Sequence, residues 1–311
     1  MPGKLKYNPD TDIPDLTGKS IFITGGTGGL GAESALHLAK HNPSHIYLSG
    51  RNAKNGEKII QAIKDSGSTT SVSFVSCDLS SLRDVKEASE KFLATTPRLD
   101  ILICNAGIMA LAPGRTVDGY EVQFGTNHLG HALLIRKLLP LLETTALESG
   151  GDARIVLLTS EGHALHPGKG IDFESVRTEQ EFAFGGPWRR YGQSKLANLL
   201  YARQLAGRYP GITSVSVHPG VVATGLTGNL ALKDKLLVHA TTLLAPWMVL
   251  GLQEGAYNQV WAATAEKGSI VNGEYYLPVG KNAQKRLGGK ARDEKLAERL
   301  WDWTEEVLKA F

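Results

Sequence analysis

Short apolar runs alternate with longer helical patterns along the chain, and that alternation limits the fold more than any other feature. Ser20-Ile-Phe-Ile-Thr24 reads as a first strand buried on both faces, followed by a helix over residues 31–40. The same rhythm places strands at 45–49, 72–76, 100–104, 154–158, 213–217 and 274–278. Helices fall between them at 56–64, 82–94, 122–142, from near Tyr191 to Leu205, and at 254–265. Strands separated by helices pair in parallel through right-handed crossovers. The expected fold is therefore α/β, a Rossmann-type doubly wound parallel sheet of about seven strands with helices on both faces. No linker or repeat divides the 311 residues, so one domain is expected, with a C-terminal helical extension over 291–311.

Composition closes several other routes. A content of 42% hydrophobic and 21% charged residues suits a globular protein with a large core. The net charge of +3 is too small to argue for nucleic acid. Cys77 and Cys104 end apolar runs and read as two buried, reduced thiols. Residues 1–18 lack the apolar core of a signal peptide, which makes the cytoplasm the expected location. Residues 236–252 are apolar but interrupted by His239, Pro246 and Gly251, too broken for a stable membrane span.

The turn after the first strand is Thr24-Gly-Gly-Thr-Gly-Gly-Leu-Gly31. Glycines at 25, 29 and 31 let the backbone turn sharply and approach a pyrophosphate resting on the following helix N-terminus. A chain selecting NAD places an acid about twenty residues further on, against the ribose 2′-hydroxyl. Here the second strand ends Ser49-Gly50-Arg51. A guanidinium pairs bidentately with a 2′-phosphate, so Arg51, with Lys54 nearby, points to NADP. Further on, Tyr191 and Lys195 are four residues apart on one helix and project side by side. An ammonium fixed there favours the phenolate and is expected to lower the Tyr191 pKa, fitting it for proton transfer.

Taken in order, these motifs resemble the short-chain dehydrogenase/reductase family from about Leu16 to Val279. The likeness is carried by the glycine turn, Asp78 in Cys-Asp-Leu-Ser, Asn105-Ala-Gly107, Asn127 in Thr-Asn-His-Leu-Gly, Ser160, Tyr191 with Lys195, and Pro219-Gly-Val-Val-Ala-Thr224. Length, the Arg51 position and the Trp-Asp-Trp of the C-terminal helix are most similar to the retinol-dehydrogenase and WW-domain-oxidoreductase branch. The resemblance implies catalytic Asn127, Ser160, Tyr191 and Lys195. Ser160 would hold the substrate oxygen, Tyr191 transfer the proton, Lys195 bind the nicotinamide ribose, and Asn127 anchor a relay water. Cofactor contacts would come from Gly25, Thr27, Gly29, Leu30, Gly31, Arg51, Asp78, Leu79, Asn105, Ala106, Gly107, Tyr191, Lys195, Pro219, Gly220, Val222 and Thr224. Asp78 would meet the adenine amino group, the stretch from Asn105 to Gly107 the adenosine ribose, and Thr224 the carboxamide. Two departures stand out: Thr159 occupies a position where many relatives carry serine, and the glycine turn has no basic residue.

The implied activity is NADP-dependent interconversion of a carbonyl and an alcohol, of the EC 1.1.1 carbonyl reductase type, with a small-molecule carbonyl or alcohol substrate. A non-catalytic NADP-binding regulator of the same fold is the alternative, and a dehydratase or epimerase of the superfamily ranks below it. Residues 225–253, rich in leucine, read as a lid over a bulky apolar substrate; a subunit contact giving a homodimer is the competing use. The pairs His128/His131 and His163/His166 lack a third ligand at metal spacing, so no metal is expected.

Overall fold

The computed structural model describes residues 6–148, 151–222 and 249–311. The strands are β1 Ser20–Thr24, β2 His45–Gly50, β3 Ser71–Ser76, β4 Ile101–Cys104, β5 Ala153–Leu158, β6 Ile212–Val217, β7 Val221–Val222, β8 Val249–Leu250, β9 Tyr275–Leu277 and β10 Lys281–Asn282. Among the described residues, eight of them form one sheet in the order β10-β9-β6-β5-β4-β1-β2-β3. Every pairing in it is parallel except the antiparallel β9–β10 hairpin. That hairpin supplies the strand beyond the expected seven; Lys281–Asn282 is short and polar and carries no strand signal. The remaining two, β7 and β8, pair with each other in parallel.

The helices are α1 Pro9–Asp12, α2 Gly29–Leu38, α3 Ala53–Asp65, α4 Leu82–Thr95, α5 Val122–Phe124, α6 Gly130–Leu147, α7 Gly186–Arg208, α8 Leu252–Thr264 and α9 Glu294–Leu308. Side chains alternate across a strand, and the strand sequences sort into two cores accordingly. Phe22, Leu102, Cys104, Ile155 and Leu157 pack under α4, α6, α7 and α9. Their neighbours Ile21, Ile23, Ile101, Ile103, Val156 and Leu158 pack on the other face, beneath α2, α3 and α8. Both cysteines are free and buried.

Two helices depart from expectation. The helix bearing Tyr191 starts at Gly186, not near Tyr191, with Pro187 in its first turn and Gly185 in the left-handed region at φ 62°. Proline fits the first turn because its missing N–H has no intrahelical acceptor there. Tyr191 consequently lies in the second turn of a formed helix. The 122–142 helix is interrupted: residues Gly125–Leu129 form a π segment, closed by Gly130 N–H donating to the Gly125 carbonyl. Glycines bracket it because neighbours press close; a Cβ on Gly130 would lie 2.4 Å from the Leu79 carbonyl oxygen. The extension expected at 291–311 is a short 3-10 turn, Gly289–Arg292, followed by α9.

Candidate active site

The strand order reverses between β1 and β4, so their C-terminal ends open a crevice, the usual place for a ligand in such sheets. The glycine turn leaves β1 into this crevice. Gly25 has φ 65°, and a Cβ on it would sit 3.1 Å from Ala106 Cβ and from Asn105 Nδ2. A Cβ on Gly31 would lie only 2.4 Å from the Gly25 carbonyl oxygen. These glycines thus let the turn close on Asn105 and Ala106. Gly28, the N-cap of α2, supplies no capping side chain, and no acid occupies the first turn. The first N–H groups of α2 are left for an anion.

Hydrogen bonds fix this junction. Asn105 Nδ2 donates to the Thr24 carbonyl at 2.8 Å, and Ala106 N–H to Thr24 Oγ1 at 3.0 Å. His131 Nδ1 lies 2.9 Å from the Asn127 carbonyl and its Nε2 lies 2.9 Å from Thr24 Oγ1. The carbonyl only accepts, so Nδ1 carries the proton and Nε2 accepts from Thr24. Burial drives the His131 pKa down to about 4, which keeps the ring in that neutral form. Gln259 of α8 donates to Ser34 Oγ at 2.6 Å and to Asn105 Oδ1 at 3.1 Å, tying α2 to the post-β4 segment. The remaining expected contacts ring the same crevice. A Cβ on Gly50 would meet Thr27 Oγ1 at 2.7 Å, so the glycine turn rests against the end of β2, where exposed Arg51 follows. Arg51 makes no hydrogen bond or ion pair among the described residues. Asp78 Oδ1 accepts from Ser80 N–H and Oγ, and Leu79 is buried beside it. Leu30 and Val222 converge on Gly255, where a Cβ would lie 2.9 and 2.5 Å from them. Gly220, after Pro219, has φ 98° and passes Leu250 closely. Gly29 has φ 54°. Thr224 and residues 225–248 of the lid expected over 225–253 lie outside the described residues.

Asn127, Ser160, Tyr191 and Lys195 are brought together at the ends of β4 and β5. Lys195 Nζ donates to the Leu158 carbonyl at 3.0 Å, and Asn198 Nδ2 reaches the same oxygen at 3.1 Å. Thr159, the departure noted in the sequence, is buried and donates through Oγ1 to the Lys195 carbonyl at 2.7 Å. Gly107 makes room: a Cβ there would stand 3.2 Å from Asn127 Oδ1 and 3.4 Å from Lys195 Nζ. Ser160 caps the following turn through Gly162 N–H, and a Cβ on Gly162 would lie 3.3 Å from Ser160 Oγ and 3.1 Å from the Tyr191 ring. Gly192 allows α7 to lie on that turn, since a Cβ would meet the Gly162 carbonyl oxygen at 2.8 Å. Asn127 is committed on every amide atom. Its Oδ1 accepts from Ile108 N–H, and Nδ2 donates to the Ile108 carbonyl and to Ser194 Oγ. Both of its hydrogens are spent, so a water at Asn127 would have to donate to one of its oxygens.

The expected lowering of the Tyr191 pKa is not what this arrangement produces. Burial of the phenolate pushes it up to about 12, opposed by the Ser160 hydroxyl. Burial pulls the Lys195 ammonium down to about 8. Lys195 Nζ stands 5.8 Å from the Tyr191 ring centroid and spends a proton on Leu158, so desolvation outweighs its field.

Asn198, His131, Gln259 and Gly192 were not legible as site residues. Gly185-Gly186-Pro187 does carry a helix-start signal, which would have set Tyr191 inside the helix. The histidine pairs are used within the fold. His128 Nε2 lies 3.0 Å from Thr304 Oγ1, and His163 Nδ1 lies 2.8 Å from the Ser160 carbonyl. Among the described residues no helix is long and apolar enough to cross a membrane.

A glycine-lined crevice at a sheet reversal, with a Ser-Tyr-Lys set at its floor, defines a dinucleotide-binding oxidoreductase class. The short chain dehydrogenase family model matches residues 19–235. The chain is 36% identical over 299 residues to retinol dehydrogenase 12 of Mus musculus, covering 94% of this chain and 87% of that one. It is also 36% identical to the short-chain dehydrogenase/reductase drtF of Aspergillus calidoustus, with 96% of each covered. A crystal structure from Mycobacterium paratuberculosis, 27% identical, superposes with a TM-score of 0.72, covering 96% of this chain and 97% of that one. The chain belongs to the short-chain dehydrogenase/reductase family, most like its retinol-dehydrogenase branch, and is a dehydrogenase/reductase using a nicotinamide cofactor.

Proposed function

We propose that the chain is an NADP(H)-dependent oxidoreductase that interconverts a carbonyl and an alcohol on a bulky, apolar small molecule. The observation carrying this reading is the convergence of Ser160, Tyr191 and Lys195 at the floor of the glycine-lined crevice. Bound there, the nicotinamide supplies the hydride at its C4. The open α2 N-terminus and the glycines at 25 and 31 would take the pyrophosphate. Arg51, exposed after β2 with no protein partner among the described residues, would pair with the 2′-phosphate. Ser160 holds the substrate oxygen and Tyr191 donates the proton to it. Lys195, cationic below about pH 8 and 5.8 Å from the Tyr191 ring centroid, would stabilise the phenolate left behind and would donate hydrogen bonds to the ribose hydroxyls of a bound cofactor. A phenol that keeps its proton up to about pH 12 favours carbonyl reduction at neutral pH. A bulky apolar substrate is supported by the leucine-rich 236–252 stretch and by the relative described as a retinol dehydrogenase.

The pH profile tests the pairing. kcat/KM reports the ionisations of the free enzyme. For carbonyl reduction with NADPH it is expected to fall as pH rises through about 8, where Lys195 loses its proton. A profile flat to pH 10, about where a solvated lysine titrates, would show that Lys195 keeps an ordinary pKa and is not lowered by burial. Cofactor choice is tested separately. Arg51→Asp replaces a phosphate partner with a repelling charge, so NADPH binding is expected to weaken by about 10²-fold or more while NADH binding holds or improves. Equal affinity of the unaltered protein for both cofactors would refute the Arg51 assignment.

A further inference from the structure

Arg190, immediately before Tyr191, is only 1% exposed and faces Glu121, which is 0% exposed, with Nε 3.4 Å from Oε1. Taking a guanidinium and a carboxylate out of water is costly, and the geometry must repay it. The fork of Arg190 is spread over three segments. Nη1 donates to the Gln180 carbonyl at 3.0 Å and Nη2 to the Leu111 carbonyl at 2.9 Å. Leu111 ends the post-β4 stretch that begins at Asn105, and Gln180 lies in the long connection between Ser160 and α7. Glu121 accepts from Gln123 and Phe124 N–H, anchoring the helix start that leads to Asn127.

Backbone strain falls at the same place. Among the described residues, the non-glycine positions with positive φ are Asn42, Ala110 and Gln180. Two of those three belong to this network. Ala110, at φ 49°, donates its N–H to Gln123 Oε1 at 2.8 Å. Gln180, at φ 48°, is held through its carbonyl by Arg190 and through Oε1 by Gln193 Nε2 at 2.8 Å. Such conformations persist only where surrounding contacts over-determine them, and they gather at functional sites. The post-β4 stretch is therefore pinned at one end by Asn127, through Ile108, and at the other by Arg190. The second stretch is pinned at Gly192 beside Ser160 and again by Arg190 at Gln180.

We propose that Arg190 is a positioning residue: its guanidinium clamps the 105–111 and 159–185 stretches together across the base of α7, and so sets where a substrate oxygen meets Ser160 and Tyr191. This rests on the reading of Tyr191 as the proton donor. Lysine keeps the charge facing Glu121 but cannot reach both carbonyls, because it lacks the planar fork. Arg190→Lys is expected to lower kcat/KM for the carbonyl substrate by about 10²-fold, the scale of an ångström misplacement, with the NADPH dissociation constant unchanged. Amide hydrogen exchange should quicken in peptides covering 108–112 and 176–184 and stay unchanged in the sheet. If Arg190→Lys does not fold, the double variant Arg190→Met/Glu121→Gln removes both charges together and is read the same way. Unaltered catalytic efficiency, a parallel loss of NADPH affinity, or exchange that quickens throughout the sheet would overturn the clamp. If the unaltered protein reduces no carbonyl, the proposed function fails by itself, and the exchange rates still decide whether the clamp exists.

Discussion

Replacing Tyr191 by phenylalanine is expected to reduce turnover by roughly 10³-fold or more, the scale of a lost general acid, while leaving NADPH binding nearly intact. The substitution removes one oxygen from a ring that is already buried and keeps its contacts with Trp188. Burial pushes the pKa of the phenol up to about 12, so it holds its proton at neutral pH. Its loss therefore deprives the developing alkoxide of the nearest acid, with Ser160 left as a weaker hydroxyl. The cofactor crevice is built by the glycine turn, Asn105 and Gln259, none of which bonds to the phenol oxygen. Stopped-flow binding of NADPH and steady-state turnover on the same preparation separate the two effects. Comparable turnover in the variant would mean that the proton comes from elsewhere.

The second large effect is on stability in acid. His128, His131 and His218 are buried, and desolvation lowers their pKa values to about 3, 4 and 4. Each lies below the unfolded value near 6.5. Above that pH the rings are neutral in both states and contribute nothing to pH dependence. As pH falls from about 6.5 towards 4, the unfolded chain takes up protons that the folded chain refuses, so stability is lost over that window. Shifts of about 2.5 to 3.5 pK units amount to on the order of 3–5 kcal/mol per ring, and three rings approach the ~5–15 kcal/mol total of an ordinary domain. Glu121 acts in the opposite sense. Burial pushes its carboxyl up to about 7, against the pull of two backbone N–H groups and Arg190, so protonating it stabilises the fold as pH falls. One carboxyl offsets part of what three imidazoles lose. Thermal melts at successive pH values should show Tm falling steeply below about pH 6, with the fold lost near pH 4–5. A Tm constant between pH 7 and 4.5 would show that the rings are not held neutral.

The sheet was legible because its signal is local. The strands from β1 to β6 read as short runs rich in apolar residues, and in the buried central ones odd and even positions face two separate cores. β10 was not, since Lys281 and Asn282 pair through backbone groups that any sequence possesses. The glycine turn and the Tyr191/Lys195 spacing were legible because both are contiguous in the chain. The electrostatics were not: spacing places an ammonium near a phenol, but only packing reveals that Leu158 takes a proton of Lys195 and that water is excluded from both groups. Arg190 carries no local signal, because the folded loops supply its carbonyl partners from 10 and 79 residues away. Asn198 and Gln259 are hidden for the same reason, being polar side chains on helices whose partners lie on distant strand ends.

The central claim is that the crevice directs a hydride from a nicotinamide to a carbonyl carbon. The most direct test supplies NADPH deuterated at the transferring C4 position to the purified protein with bulky apolar ketones, aldehydes and quinones, and analyses the products by mass spectrometry and NMR. The expected product is an alcohol from at least one ketone or aldehyde carrying a single deuterium on the carbinol carbon, formed in step with loss of NADPH absorbance. Tight NADPH binding with no deuterium transferred to any member of the panel would contradict it and leave a cofactor-binding protein without the proposed chemistry.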